Sequence, residues 1–224
     1  MMKAKRWAAA LFLAGLLLAG PAAEASLWPG LASKARDKSG AFRTDDFRMD
    51  TAELRSPYLI AHGNNGEFAG KVNAAIAREK KDFLDKLGKD NERVRTEGWM
   101  IWHEGLIGNF VTNNQGITSI VLVEQTLSAG ADRGTTFAKG LNFNDSGDLF
   151  DLPAVLPALT VEDVNKCIEL QAKKRGFPLL PAHTVTSLPT NFYVGKNRVV
   201  YALYQQNDLT PPEVGVYAVP IGKV

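Results

Sequence analysis

The chain has 224 residues, 45% hydrophobic and 22% charged, with 26 Lys+Arg against 24 Asp+Glu, three His and one Cys. These ordinary globular values exclude a disordered, collagen-like or coiled-coil chain, and a lone cysteine excludes an intramolecular disulfide framework. A formal charge of +2 supports neither a nucleic-acid nor an anionic-membrane partner.

Lys3, Lys5 and Arg6 precede an apolar run of 13 residues, Ala8 to Gly20, and Ala23-Glu24-Ala25 follows with small–x–small spacing. That pattern predicts a secretory signal peptide over residues 1–25, cleaved near Ala25. The run is shorter than the roughly 20 residues a bilayer requires, so no membrane span is expected once the leader is removed. Removal takes three basic residues and one acidic residue, and the remainder is neutral. A short leader and no disulfide point to a secreted or periplasmic bacterial protein.

Residues 26–41 carry Gly, Ser, Lys and Pro without apolar periodicity and read as a flexible lead-in. Tyr58 to Ala61 reads as a short strand. A helix is predicted next, capped by Asn64 with Glu67 three residues on and ended at Gly88. Phe68, Val72, Ile76, Phe83 and Leu87 form its apolar stripe. From Arg93 to His103 the alternation of Val94, Met100 and Trp102 with Arg93, Arg95 and Glu97 predicts an antiparallel strand. Ile117 to Val123 is apolar on both faces, as a doubly covered central strand would be. Thr135 to Phe143 should be its antiparallel neighbour across the Ser128–Gly134 connection, followed by a turn at Asn144-Asp145-Ser146-Gly147.

A second helix is expected from Thr160, with Asp163 completing a capping box and Lys173, Lys174 and Arg175 opposing the dipole in its last turn. Gly176 and Pro178 end it. A hairpin follows, Asn191 to Val194 and Arg198 to Tyr204 around Gly195-Lys196-Asn197. Tyr217 to Ile221 closes the chain as an edge strand, marked by Pro220. The fold class is α+β: two main helices packed on a largely antiparallel multi-stranded sheet.

Reactive patterns are sparse. His103-Glu104 opens like a metalloprotease helix, but Ile107 stands where the second His belongs. Asn142, Asn144, Ser146 and Gly147 imitate half a calcium loop, but its twelfth position is Pro153 instead of Glu. Gly130 to Thr135 lacks the Lys of a phosphate loop, and no G-x-S-x-G elbow occurs. Cys167 sits mid-helix, with nothing nearby in sequence to lower its pKa. His62, His103 and His183 are far apart, and Asp45, Asp46, Asp145, Asp148 and Asp151 are carboxylates near turns. No metal or other cofactor is implied. Trp99, Trp102, Phe110 and Tyr58 offer an aromatic platform for sugars, or core packing. The irregular polar loop Ser128–Gly134 joins two apolar strands and is the best placed for partner contacts. Asp132 and Arg133 are its candidate binding residues, with Tyr204 and Tyr217 as candidate exposed aromatics.

Several short motifs recur in a telling order. A strand at Gly116-Ile117-Thr118-Ser119-Ile120-Val121-Leu122 precedes Gly130-Ala131, then Leu141-Asn142-Phe143-Asn144 through Ser146-Gly147 to Leu149-Phe150-Asp151-Leu152. Asn191-Phe192-Tyr193-Val194 and Gly215-Val216-Tyr217-Ala218-Val219-Pro220-Ile221 complete the set. This order resembles the extracytoplasmic domain family of the lysozyme-sensing anti-sigma factor RsiV and the peptidoglycan deacetylase PdaC. Pro57-Tyr58 and Asn73-Ala74-Ala75-Ile76 are similar to the companion module that precedes it. The resemblance covers about 42–224, as an N-terminal module at about 42–114 and a C-terminal module at about 115–224. Where the family has Gly-Ala-His-Gly in its loop, this chain has Asp132-Arg133-Gly134 after Ala131.

The resemblance implies a fold, an envelope address and a bias toward wall-directed proteins such as lysozyme or toward peptidoglycan glycan, without catalysis. An exported non-catalytic binding domain is therefore expected. The alternative is a small exported hydrolase of envelope polysaccharide. It requires Asp145, Asp148, Asp151 and the histidines to converge in one pocket.

Overall fold

A computed structural model describes residues 42–48, 52–61, 63–97, 101–114, 116–128, 134–195 and 197–224. Five strands form the larger sheet in chain order: β1 (Phe42–Arg48), β2 (Ala52–Leu59), β3 (Ile101–Asn114), β4 (Ile117–Ser128) and β5 (Thr135–Phe143). Neighbours run antiparallel, except that β2 and β3 are parallel. Parallel neighbours need a long crossover. Helix α1 (Gly66–Glu97), opened by a 3-10 turn at Gly63–Asn65, supplies it. The boundary expected between the two modules falls in the turn joining β3 to β4, within one sheet.

The helix is longer than the sequence indicates. Gly88 lies in its interior, and Arg93 to Glu97 are helical, so the strand expected from Arg93 begins only at Ile101. A glycine costs a helix about 1 kcal/mol relative to alanine but does not terminate it. The turns around it carry the i,i+4 pairs Lys81–Asp85, Lys86–Asp90 and Arg93–Glu97. Among the described residues, no heavy atom beyond its own stretch of helix lies within 4 Å of a Cβ built on Gly88. Gly88→Ala should therefore raise stability by about 1 kcal/mol in urea melts. A loss would mean that the glycine is needed.

The second half adds a short helix α2 (Leu152–Val155), helix α3 (Val161–Arg175) and a three-stranded antiparallel sheet. Its strands are β6 (Phe192–Val194), β7 (Val199–Tyr204) and β8 (Tyr217–Lys223). Local rules account for α3. The Thr160 hydroxyl accepts from the Asp163 N–H while the Asp163 carboxylate accepts from the Thr160 N–H, and Gly176 closes the helix at φ 67°. β8 is an edge strand, as Pro220 indicates.

Three apolar clusters stack these elements as four layers. Val72, Ile76, Phe83 and Leu87 of α1 pack on Ile120, Leu122 and Leu141. From the opposite face of β4, Val121 and Val123 pack on Tyr193, Tyr201 and Leu203 of the smaller sheet. That sheet's other face, with Val200, Ala202 and Val219, packs on Val164 and Ile168 of α3. Strand β4 is thus covered on both sides, as its two apolar faces require. The architecture is α+β, two main helices enclosing two largely antiparallel sheets. Among the described residues no helix is long and apolar enough to cross a membrane.

Candidate functional site

β5 ends the larger sheet, and an edge strand leaves backbone groups without strand partners. Here side-chain amides fill them. Gln205 Oε1 accepts from the Ala138 N–H at 2.8 Å, and Gln205 Nε2 donates to the Ala138 carbonyl at 2.8 Å. Gln206 Oε1 accepts from Thr136 at 3.0 Å. Asn191 Oδ1 accepts from Gly140 at 2.9 Å, and its Nδ2 donates to Ala138 at 2.7 Å. Three carboxamides therefore stand where a sixth strand would stand. They hold the loops around 191 and 205 rigidly against β5.

Those loops form one wall of a groove of about 710 Å³. The other wall is α1, through Glu79, Asp82 and Lys86, and the floor is Leu122, Glu124, Phe137 and Lys139 of β4 and β5. Lys139 pairs with Glu79 at 2.7 Å and Lys86 with Glu124 at 2.5 Å, tying the helix to the floor. Phe137 is 48% exposed in the floor, a large apolar surface left open to solvent. A second depression of about 460 Å³ shares Lys86, Glu124, Phe137 and Gln205 and runs on to Thr126 and Thr135. It reaches the end of β4 and β5 from which the Ser128–Gly134 connection springs.

Asp132 and Arg133 lie outside the described residues, as do the leader, the lead-in, His62 and Trp99. Tyr204 and Tyr217, expected at the surface, are buried at 8% and 1% exposure. The two residues face each other across β7 and β8, under α3. Tyr204 still lines the groove, whereas Tyr217 packs edge-on against Phe177, with ring centroids 5.9 Å apart. Among the described residues neither hydroxyl finds a hydrogen-bond partner, nor does the buried Thr210 hydroxyl.

Burial pushes both phenols up to about 12, with a further rise for Tyr204 from nearby Asp208. A free tyrosine ionises near 10, so between pH 10 and about 12 the unfolded chain releases protons that the folded one retains. Stability must then fall as pH rises through that window. Urea melts from pH 9 to 12 should show the fall, and Tyr217→Phe should make it shallower. At neutral pH the same variant should be as stable as the parent or more so, because it removes an unpaired buried hydroxyl. An unchanged alkaline slope would refute the assignment.

Among the described residues, Asp145, Asp148, Asp151 and His183 do not gather in one pocket. Asp148 pairs with Lys71 at 2.8 Å, and Asp145 sits beside Gly116. His183 Nδ1 lies 2.8 Å from the Leu180 carbonyl oxygen, and its Nε2 is 4.0 Å from Glu169. The backbone of His103 pairs with Leu127, far along β4 from the Asn144–Gly147 turn. Asp145, Asp148, Asp151 and His183 line neither depression. Among the described residues no three His, Cys, Asp or Glu are grouped to hold a metal. Burial raises the Cys167 thiol pKa, the opposite of what a nucleophile needs.

The groove residues that sequence reasoning missed as site candidates include Glu79, Asp82, Glu124, Phe137, Lys139, Asn191, Gln205 and Asp208. Only Phe137 left a trace, as an aromatic between Thr136 and Ala138 on a strand of mixed polarity.

No family model matches the chain, and no curated protein matches it. Among solved structures it is similar to a DUF3298 family protein from Pseudomonas aeruginosa PAO1, with a TM-score of 0.52 and 9% identity over 80% of this chain and 89% of that one. It is also similar to a DUF3298 family member from Bacteroides fragilis NCTC 9343, with a TM-score of 0.49 and 13% identity over the same shares. At 9% identity the Pseudomonas likeness is one of fold, and the fold it shares is that of a bacterial domain of unknown function.

Proposed function

We propose that the chain is exported, loses residues 1–25 and serves as a non-catalytic binding domain of the bacterial cell envelope. Its ligand is a wall-directed protein of the lysozyme kind or peptidoglycan glycan. The observation that carries this reading is the half-exposed Phe137 on the floor of a groove whose walls are held by hydrogen bonds and ion pairs. Binding sites are typically stiff concavities with an aromatic anchor and a few placed polar groups. The leader pattern and the ordered motifs shared with the RsiV/PdaC-type family support the address. β4 and β5, the two strands that the segment of Asp132 and Arg133 connects in sequence, end beside the second depression.

Calorimetric titration with lysozyme and, separately, with soluble muropeptides tests the reading. One of them should bind, and Phe137→Ala should weaken it about 10- to 100-fold, as expected for an aromatic anchor. The Asp132→Ala/Arg133→Ala pair should weaken it while leaving Tm nearly unchanged, since surface substitutions change stability by about 0.5 kcal/mol or less. No heat with either ligand sinks the proposal in this form. Mass analysis of the exported protein should find Ser26 at its N-terminus.

A further inference from the structure

We propose that the groove beside Phe137 takes a basic segment of a partner protein, whose lysine or arginine side chains meet Asp82 on one wall and Asp208 on the other. This rests on reading the groove as the binding surface, and it selects protein over glycan as the occupant. The groove carries four carboxylates, Glu79, Asp82, Glu124 and Asp208, against two ammonium groups, Lys86 and Lys139. Glu124 and Glu79 hold those ammonium groups. Asp82 and Asp208 are exposed, and among the described residues neither is in an ion pair. Asp208 accepts from the Gln205 N–H through Oδ2, which leaves Oδ1 for a partner. The excess negative charge thus stands on both sides of the aromatic floor. An anionic occupant is repelled and a cationic one is attracted.

A second, independent observation points to a donor at the same place. Tyr204 lines the groove at 8% exposure, close enough to Asp208 to feel its charge, and its hydroxyl finds no partner among the described residues. An ammonium or guanidinium group drawn to Asp208 brings the N–H donor that the phenol oxygen lacks. Phe137 suits the rest of such a side chain. The methylene stem of a lysine or arginine packs on an exposed ring while its charged head reaches past it to a carboxylate.

The edge of β5 excludes the other common way of seating a peptide. Gln206, Gln205 and Asn191 already accept from the N–H groups of Thr136, Ala138 and Gly140. A partner therefore cannot join there as a sixth strand through its main chain, and it is recognised by its side chains.

The test titrates the full exported chain with fluorescein-labelled hexalysine at low salt, beside the same peptide acetylated at every Nζ and beside hexaglutamate. Hexalysine should bind, weaken as NaCl is added, and bind at least tenfold tighter than either control. Asp82→Asn with Asp208→Asn should weaken it about tenfold, and Phe137→Ala should weaken it as well. Glu162→Gln, on α3 away from the groove, should not. If the double variant fails to fold, Asp82→Asn alone, on the exposed face of α1, should still weaken hexalysine about threefold. No binding of hexalysine, equal binding of the acetylated peptide, or an affinity indifferent to the Asp82 and Asp208 substitutions would each overturn the inference. The lysozyme and muropeptide titrations are read independently. Muropeptide binding with no response to hexalysine refutes the basic partner and leaves the binding reading intact. Hexalysine binding that depends on Asp82 and Asp208, with no heat from lysozyme or muropeptide, supports the basic site and removes the two ligands named above.

Discussion

Gly140→Ala should cost about 3 kcal/mol or more and lower Tm by roughly 10 °C, if the variant stays soluble at all. A Cβ at this position would stand 1.8 Å from the carbonyl oxygen of Phe192 and 2.7 Å from its carbon. Both atoms are backbone, so no side chain can swing aside. The smaller sheet would have to retreat from β5. That movement would strain the Asn191 bond to the Gly140 N–H and the Asn142 bond to the same Phe192 carbonyl. Chemical and thermal melts beside Gly88→Ala make the comparison internal, since the two substitutions should act in opposite directions. A mild effect at Gly140 would mean that the sheets are less closely apposed.

Asn142→Leu should be nearly as damaging, at about 2 to 4 kcal/mol. Buried Asn142 donates from Nδ2 to the Phe192 carbonyl at 2.8 Å, and its Oδ1 accepts from the Ser119 hydroxyl at 2.7 Å. The Ser119 oxygen in turn accepts from the Val194 N–H at 3.1 Å. One side chain thus satisfies groups on β4 and β6 from its place on β5. Leucine fills the volume but takes the donor from the Phe192 carbonyl and the acceptor from the Ser119 O–H in a buried interior. Asn142→Asp separates polarity from shape. A carboxylate cannot donate to the Phe192 carbonyl, whereas a protonated carboxyl can. Burial and that carbonyl raise its folded pKa above the unfolded value, so its stability should be greatest at low pH and fall as pH rises. Chemical melts at pH 3.5 and pH 7 read the difference; equal losses would show that the hydrogen bond is not the cause.

Features governed by neighbours a few residues away were legible in the chain itself. Thr160 with Asp163, Gly176 at positive φ, and the Asn144–Gly147 turn, with Asn144 Oδ1 accepting from Ser146 and Asp148, all follow short-range rules. The doubly covered β4 was legible because its side-chain period places apolar residues on both faces. The same signal ran through Val199 to Tyr204, buried throughout except half-buried Val199. There Tyr204 was expected as an exposed aromatic, and it took α3 on one side of the strand and β4 and β5 on the other to seal it. The end of α1 misled for a related reason. Gly88 and the alternation after Arg93 are valid local signals, but a parallel β2–β3 pair needs a crossover between them, a requirement set by strands far apart in sequence.

The groove belongs wholly to that second kind of information. Its walls come from around residues 79–86 and 185–208 and its floor from 122–139, and no periodicity within any one segment indicates that the three meet. What the chain determined alone was its α+β class, the caps of α3 and the Asn144–Gly147 turn, because each follows from backbone geometry and polarity along the sequence. What only the tertiary structure decided was which polar groups are shut away and which aromatic remains open. Burial depends on the layer that arrives from elsewhere, and nothing in a strand records how many layers will cover it.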